Sequence, residues 1–116
     1  MKYMFLIYTE EGSEAQMAPT EREALLGEYF AFTKEARARG LYVDGDELKP
    51  TATATTLRPQ SSQLVTTDGP YAETKEQLGG FFILECQDMD EAIDWAAKIP
   101  GARHGSIEVR PVVNFG

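Results

Sequence analysis

The sequence predicts an α+β fold: a ferredoxin-like sandwich with an antiparallel sheet and an extra β-hairpin, built as one domain over residues 1–116. Three observations lead there. Strand-like and helix-like segments follow one another in the order β-α-β-(hairpin)-β-α-β. Both helical segments carry a single apolar stripe, as helices lying on one face of a sheet require. Two strands, residues 2–9 and 81–86, are apolar on both faces, so both faces of the sheet need cover.

The first strand, Lys2–Thr9, sets Met4, Leu6 and Tyr8 on one face and Tyr3, Phe5 and Ile7 on the other. Residues 10–19 form a polar loop ending in Pro19. Thr20 and Glu23 have the spacing of a capping box at a helix start. Leu25, Leu26, Tyr29, Phe30, Thr33 and Ala36 then recur at helical spacing and predict one buried stripe. Gly40 suits the left-handed stop after the last turn. Leu41–Leu48 reads as a short strand broken by the turn signal Asp44-Gly45. Thr51–Arg58 and Gln63–Thr67 predict the hairpin, turned over Pro59–Ser62. Phe81–Cys86 is the next strand. Asp88 caps a second helix, with Glu91 three residues on and Ala92, Trp95, Ala96 and Ile99 along one face; Pro100-Gly101 ends it. Ser106–Val113 is the last strand, and Pro111 puts it near an edge or a strand end.

Helices on one face leave the other face of the sheet bare. The hairpin covers part of it at most, and a second subunit stacked sheet to sheet covers it economically. A homodimer of the dimeric α/β-barrel kind is expected.

Composition narrows the functions. The net charge is -8, and both halves of the chain are acidic without a block of like charge. No stripe of Lys and Arg is present, which argues against direct binding to nucleic acid. Cys86 is the only cysteine, so an intrachain disulfide or a CxxC site is excluded; its apolar strand suits a buried thiol. The apolar start, Met1–Tyr8, is too short for a signal segment, and no stretch approaches the roughly 18 apolar residues of a membrane span. A cytoplasmic protein with no membrane association, cofactor or metal is expected.

Candidate chemistry gathers around Asp68-Gly-Pro-Tyr-Ala-Glu-Thr-Lys-Glu-Gln-Leu-Gly-Gly80, directly before the apolar strand. Asp68 either caps the Gly69-Pro70 turn or is a carboxylate held rigidly at a pocket mouth, fit to act as a base. Glu73, Lys75 and Glu76 are either solvated loop charges or partners of Asp68 in an acid–base group. Gly79-Gly80 allows close backbone approach or positive φ. Arg58 and Arg110 either hold an anionic ligand or pair with nearby acids. His104, the only histidine, fits a surface loop, and no second histidine supports a metal site.

Four segments, Met1–Tyr8, Thr51–Arg58, Asp68–Phe82 and Ile107–Val112, make the chain resemble the YCII-related family in its DGPF-domain branch, with Tyr71 where that branch has Phe. The resemblance implies a ferredoxin-like domain in a dimeric α/β barrel. It also implies kinship with small bacterial proteins linked to stress or regulation, often encoded beside sigma factors or fused to them. The wider group is proposed to use a His–Asp pair. This chain has no histidine in its first helix, which leaves Asp68 as the counterpart. Three functions are therefore expected to compete. The first is a small-molecule sensor whose pocket is lined or gated by Asp68, Glu73, Lys75, Arg58 and Tyr8. The second is an acid–base enzyme, an isomerase or lyase, with Asp68 as catalytic base and Lys75 or Arg58 steadying negative charge. The third is an interaction module acting with a sigma factor.

Overall fold

The computed structural model describes all residues, Met1–Gly116. It consists of β1 (Lys2–Glu10), α1 (Pro19–Ala38), β2 (Tyr42–Glu47), β3 (Thr55–Gln60), β4 (Gln63–Asp68), β5 (Glu76–Glu85), α2 (Met89–Ala96) and β6 (Ser106–Pro111), with short 3-10 turns at Glu14–Gln16, Thr51–Thr53 and Pro100–Arg103. Four strands form an antiparallel sheet in the order β2-β5-β1-β6, and β3 and β4 form a separate hairpin. With the hairpin set aside, this is the ferredoxin-like βαββαβ order that the sequence predicts.

The core lies between the sheet and the helices. Tyr3, Phe5 and Ile7 of β1 alternate inward, as do Phe82 and Leu84 of β5, and they meet Phe32 and Ala36 of α1 and Ala92, Trp95 and Ala96 of α2. Phe82 is the hub: its ring centroid lies 4.8 Å from that of Phe32, which in turn meets Trp95 edge-on at 5.8 Å. The Cys86 thiol is buried in the same cluster. Burial and the nearby Glu91 charge push its pKa up to about 11. Ion pairs Lys98–Glu35 and Arg103–Glu28 fasten α1 to the chain after α2 from the solvent side.

Several local expectations need correction. No capping box forms at Thr20. The helix starts one residue earlier with Pro19 at its first position, where a missing N–H costs nothing, and Ala18 is the cap residue. At the other end, Gly40 has φ +73 and the Leu41 N–H bonds the Ala36 carbonyl at 3.0 Å, the predicted left-handed stop. Asp44-Gly45 is not a turn. β2 runs through it, with an extra residue at Val43 bulging the ladder between Tyr42 and Asp44. Gly45 is needed there because a Cβ would stand 2.5 Å from Cδ1 of Phe82. Thr51–Thr53 is a helical turn, so the hairpin strand begins only at Thr55. Pro59 lies inside β3, and the hairpin turn narrows to Ser61-Ser62, with Ser61 at φ 56. β5 begins at Glu76, five residues before the expected strand. Its register slips where Ile7 faces Gly80 and Tyr8 faces Leu78, which leaves Gly79 as the bulged residue.

The α1 stripe also divides. Of its six residues only Ala36 is buried, Leu25, Tyr29 and Thr33 are half-buried, and Leu26 is 52% and Phe30 66% exposed; the buried aromatic of α1 is Phe32, which lies off the predicted stripe. Phe32 and Ala36 lie on the sheet, while Leu26 and Phe30 overhang an open space.

The hairpin does not cover its own sheet. β3 and β4 make their contacts chiefly with each other, and every residue of β4 is exposed. The molecule measures 48 × 46 × 18 Å, with a radius of gyration of 16.2 Å. A compact chain of this length would have about 13 Å. The face carrying Met4, Leu6, Phe81 and Ile83 is therefore uncovered, and each of these residues is only half-buried.

Candidate functional site

The open space beneath residues 22–33 of α1 is a cleft of about 900 Å³. One wall is α1, with Leu25, Leu26, Tyr29, Phe30 and Thr33. The floor is the helix-facing side of the sheet, where Gly45, Gly79 and Gly80 leave mainly backbone around the Phe82 ring. Gly80 permits a close approach, since a Cβ there would lie 2.9 Å from the Asp46 carbonyl oxygen. Gly79 has room: the nearest atom to its Cβ position is Thr9 Oγ1 at 3.8 Å. Neither has positive φ, so of the two roles expected for this glycine pair, close approach is realised, at Gly80. The cleft exists because the floor lacks side chains where the helix overhangs it.

The mouth is polar and mostly acidic. Glu10, Glu11 and Glu14 border it on one side, and Asp46 and Glu47 on the other, against the cations Arg22 and Lys49. Arg22 Nη2 donates to the Glu14 carbonyl at 2.9 Å, and Lys49 has no ion-pair partner. Glu11 closes one end as a latch: its carboxylate accepts from the Thr51 N–H at 2.8 Å and the Thr51 hydroxyl at 2.6 Å. These two bonds hold its pKa below the ordinary carboxylate value. Deeper in, burial raises the pKa of the Tyr29 phenol, which therefore stays protonated at neutral pH and keeps its proton to donate.

None of the five residues expected to line a pocket borders this cleft. Tyr8 points to the bare sheet face, where its hydroxyl donates to Glu108 Oε1 at 3.3 Å; burial, with Glu108 beside it, raises its pKa. Arg58 stands on the hairpin. Its Nη2 donates to the Tyr71 carbonyl at 2.8 Å, and its guanidinium lies 4.9 Å from the Tyr71 ring centroid. Asp68 ends β4 opposite Thr55, exposed, and its carboxylate accepts no hydrogen bond within the protomer; nor do Glu73 and Lys75 form an ion pair. The turn itself is held by its backbone: Gly69, at φ +115, donates to the Ala54 carbonyl at 2.8 Å and accepts from the Thr56 hydroxyl at 2.8 Å. His104 is exposed after the last 3-10 turn.

Sequence reasoning missed the latch, the free Lys49 and the role of Tyr29. A usable signal lay in the α1 stripe, which is wider than one sheet contact needs, and in the glycines that fall opposite it.

A ferredoxin-like α+β domain with an apolar cleft between helix and sheet is the class that this architecture defines. The chain belongs to the YCII-related domain family, whose model matches residues 1–116. It is 36% identical over 117 residues to an uncharacterised protein of Rhizobium meliloti strain 1021, a match covering 99% of this chain and 94% of that one. Its fold is similar to that of 5-chloro-2-hydroxyhydroquinone dehydrochlorinase from Burkholderia phenoliruptrix AC1100, solved in complex with 2,5-dihydroxybenzoquinone. That likeness has a TM-score of 0.56 at 16% identity and covers 97% of this chain and 94% of the other. No helix is long and apolar enough to cross a membrane.

Proposed function

We propose that this chain is a small-molecule-binding subunit of a homodimer, and that its ligand is a neutral, largely apolar molecule of aromatic size held in the α1–sheet cleft. The observation that carries this is the cleft itself: about 900 Å³ of apolar-walled space, the scale of ordinary ligand sites. The small six-membered-ring quinone bound by the dehydrochlorinase would occupy part of such a space. The acidic mouth disfavours anions, and Tyr29 offers one protonated donor to fix orientation. The Asp68-Gly69-Pro70-Tyr71 turn supports membership of the DGPF branch, and with it a regulatory or stress-linked role in the cytoplasm beside a sigma factor. Asp68, outside the cleft of its own protomer, belongs to that turn; binding rather than turnover is the function proposed. The half-buried sheet face supports the dimer.

Two probes test the cleft, the neutral dye Nile red followed by fluorescence and hydroquinone followed by calorimetry. Saturable binding is expected in wild type. Gly79→Val, which points side-chain volume into the cleft, should weaken it at least about tenfold, since filled space excludes the probe. Absence of saturable binding for both probes, or equal binding by a folded Gly79→Val chain, overturns the proposal.

A further inference from the structure

The hairpin presents an apolar face that its own protomer leaves bare. Leu57 pairs with Thr66 and Pro59 with Leu64, and side chains two apart point the same way, so Leu57, Pro59 and Leu64 share one face. Leu57 is 55% and Leu64 69% exposed. The opposite face carries Arg58, already engaged with Tyr71. An isolated two-stranded hairpin is marginal in water and holds its shape only when packed on something.

We infer that the hairpin is an exchanged arm. Its Leu57–Leu64 face packs on a second copy of this chain, at the rim of the sheet-to-sheet contact. This rests on the homodimer proposed above and assigns the arm's part in it. A second copy fits because the chain carries two uncovered apolar surfaces, the arm face and the Met4, Leu6, Phe81 and Ile83 face. A two-fold axis satisfies both at once, since each protomer gives an arm and receives one. Size points the same way. A sheet four strands wide and six residues deep covers about 400 Å² by strand spacing and rise. A stable interface needs roughly 800 Å² per partner. The arm's two strands add about half as much again, and side-chain relief raises the accessible area of both faces above the flat footprint. The arm also explains the 48 × 46 Å spread of a chain this short: it extends toward something outside the protomer.

The test uses the full chain. Light scattering should give wild type twice the chain mass at micromolar concentration. Leu57→Asp/Leu64→Asp changes only exposed side chains, so helix content by circular dichroism should hold while the dimer dissociation constant rises about 100-fold, the scale of two apolar anchors replaced by charges. Phe81→Glu, on the sheet face, should also give monomer. Amides of residues 63–68 should exchange slowly in the wild-type dimer and fast in the arm variant. A wild-type monomer overturns both the dimer and the arm. A dimer broken by Phe81→Glu but unchanged by the arm substitutions, or one whose arm amides exchange freely, overturns the arm alone.

Discussion

Glycines show how one residue type does opposite work in this chain. Gly79 is a bulged residue on a cleft floor with nothing closer to its Cβ position than 3.8 Å, so a side chain there fills empty space. At Gly105, just before β6, a Cβ would lie 2.0 Å from the Tyr8 carbonyl oxygen, backbone against backbone. Gly105→Ala is therefore expected to cost about 3 kcal/mol, the upper end of overpacking penalties, because no side chain can swing away. Gly79→Val should stay within about 1 kcal/mol of wild type, as substitutions away from packed features do. Urea denaturation of both variants checks this, and similar midpoints for the two would contradict it. The sequence presents the glycines alike, because the atom each one avoids belongs to a strand far away in the chain. Asp68 is a parallel case. Its Asp-Gly-Pro setting announces a turn, and the turn is there. What the setting could not announce is that Gly69's own N–H and carbonyl would fasten it, leaving the carboxylate free.

The elements themselves were legible where periodicity and burial agree. The α2 start and face are as read, since Asp88 accepts from the Glu91 N–H at 2.9 Å and Ala92, Trp95 and Ala96 are buried. But the helix ends at Ala96, so Ile99 is buried beyond it and Pro100-Gly101 opens a 3-10 turn. Periodicity and burial disagree in α1, whose six-residue stripe is split between core contact and cleft wall, since hydropathy does not distinguish a side chain facing a neighbour from one facing a pocket. The site was less legible still. Its parts lie on α1, β2, β5 and the loop after β1, and none carries a reactive-looking motif. The latch joins two of these pieces across forty residues, Glu11 to Thr51. Because Thr51 holds the Glu11 carboxyl below its ordinary value of 4.5, the folded chain binds that proton less tightly than the unfolded chain. The latch therefore stabilises fully above that ordinary value and is lost as pH falls through the lower folded value. Glu11→Gln should lower the denaturation midpoint at neutral pH, and its gap to wild type should close as pH falls below the lowered folded value. A gap that stays constant with pH would show that the charge has no part in the latch.

At the scale of the molecule, the protomer is thinly built. Only 15 of 116 residues are buried, all the large ones on the helix side of a sheet that is apolar on both sides. This much could be read in advance, because two-sided apolar strands demand a second layer. The direction of the hairpin could not, because a hairpin's sequence fixes its ladder and not how it sits against the sheet. A one-sided core of this size yields little net stability once the conformational entropy of the chain is set against it. In the proposed homodimer, association would add to folding by mass action, and the free energy of the dimer would become part of the stability of each subunit. The thermal midpoint should accordingly rise with protein concentration across a hundredfold range. Leu57→Asp/Leu64→Asp should flatten that dependence and lower the midpoint toward a single value. A wild-type midpoint that does not move with concentration would mean that the sheet and helices suffice alone, and that the bare face contributes nothing to folding.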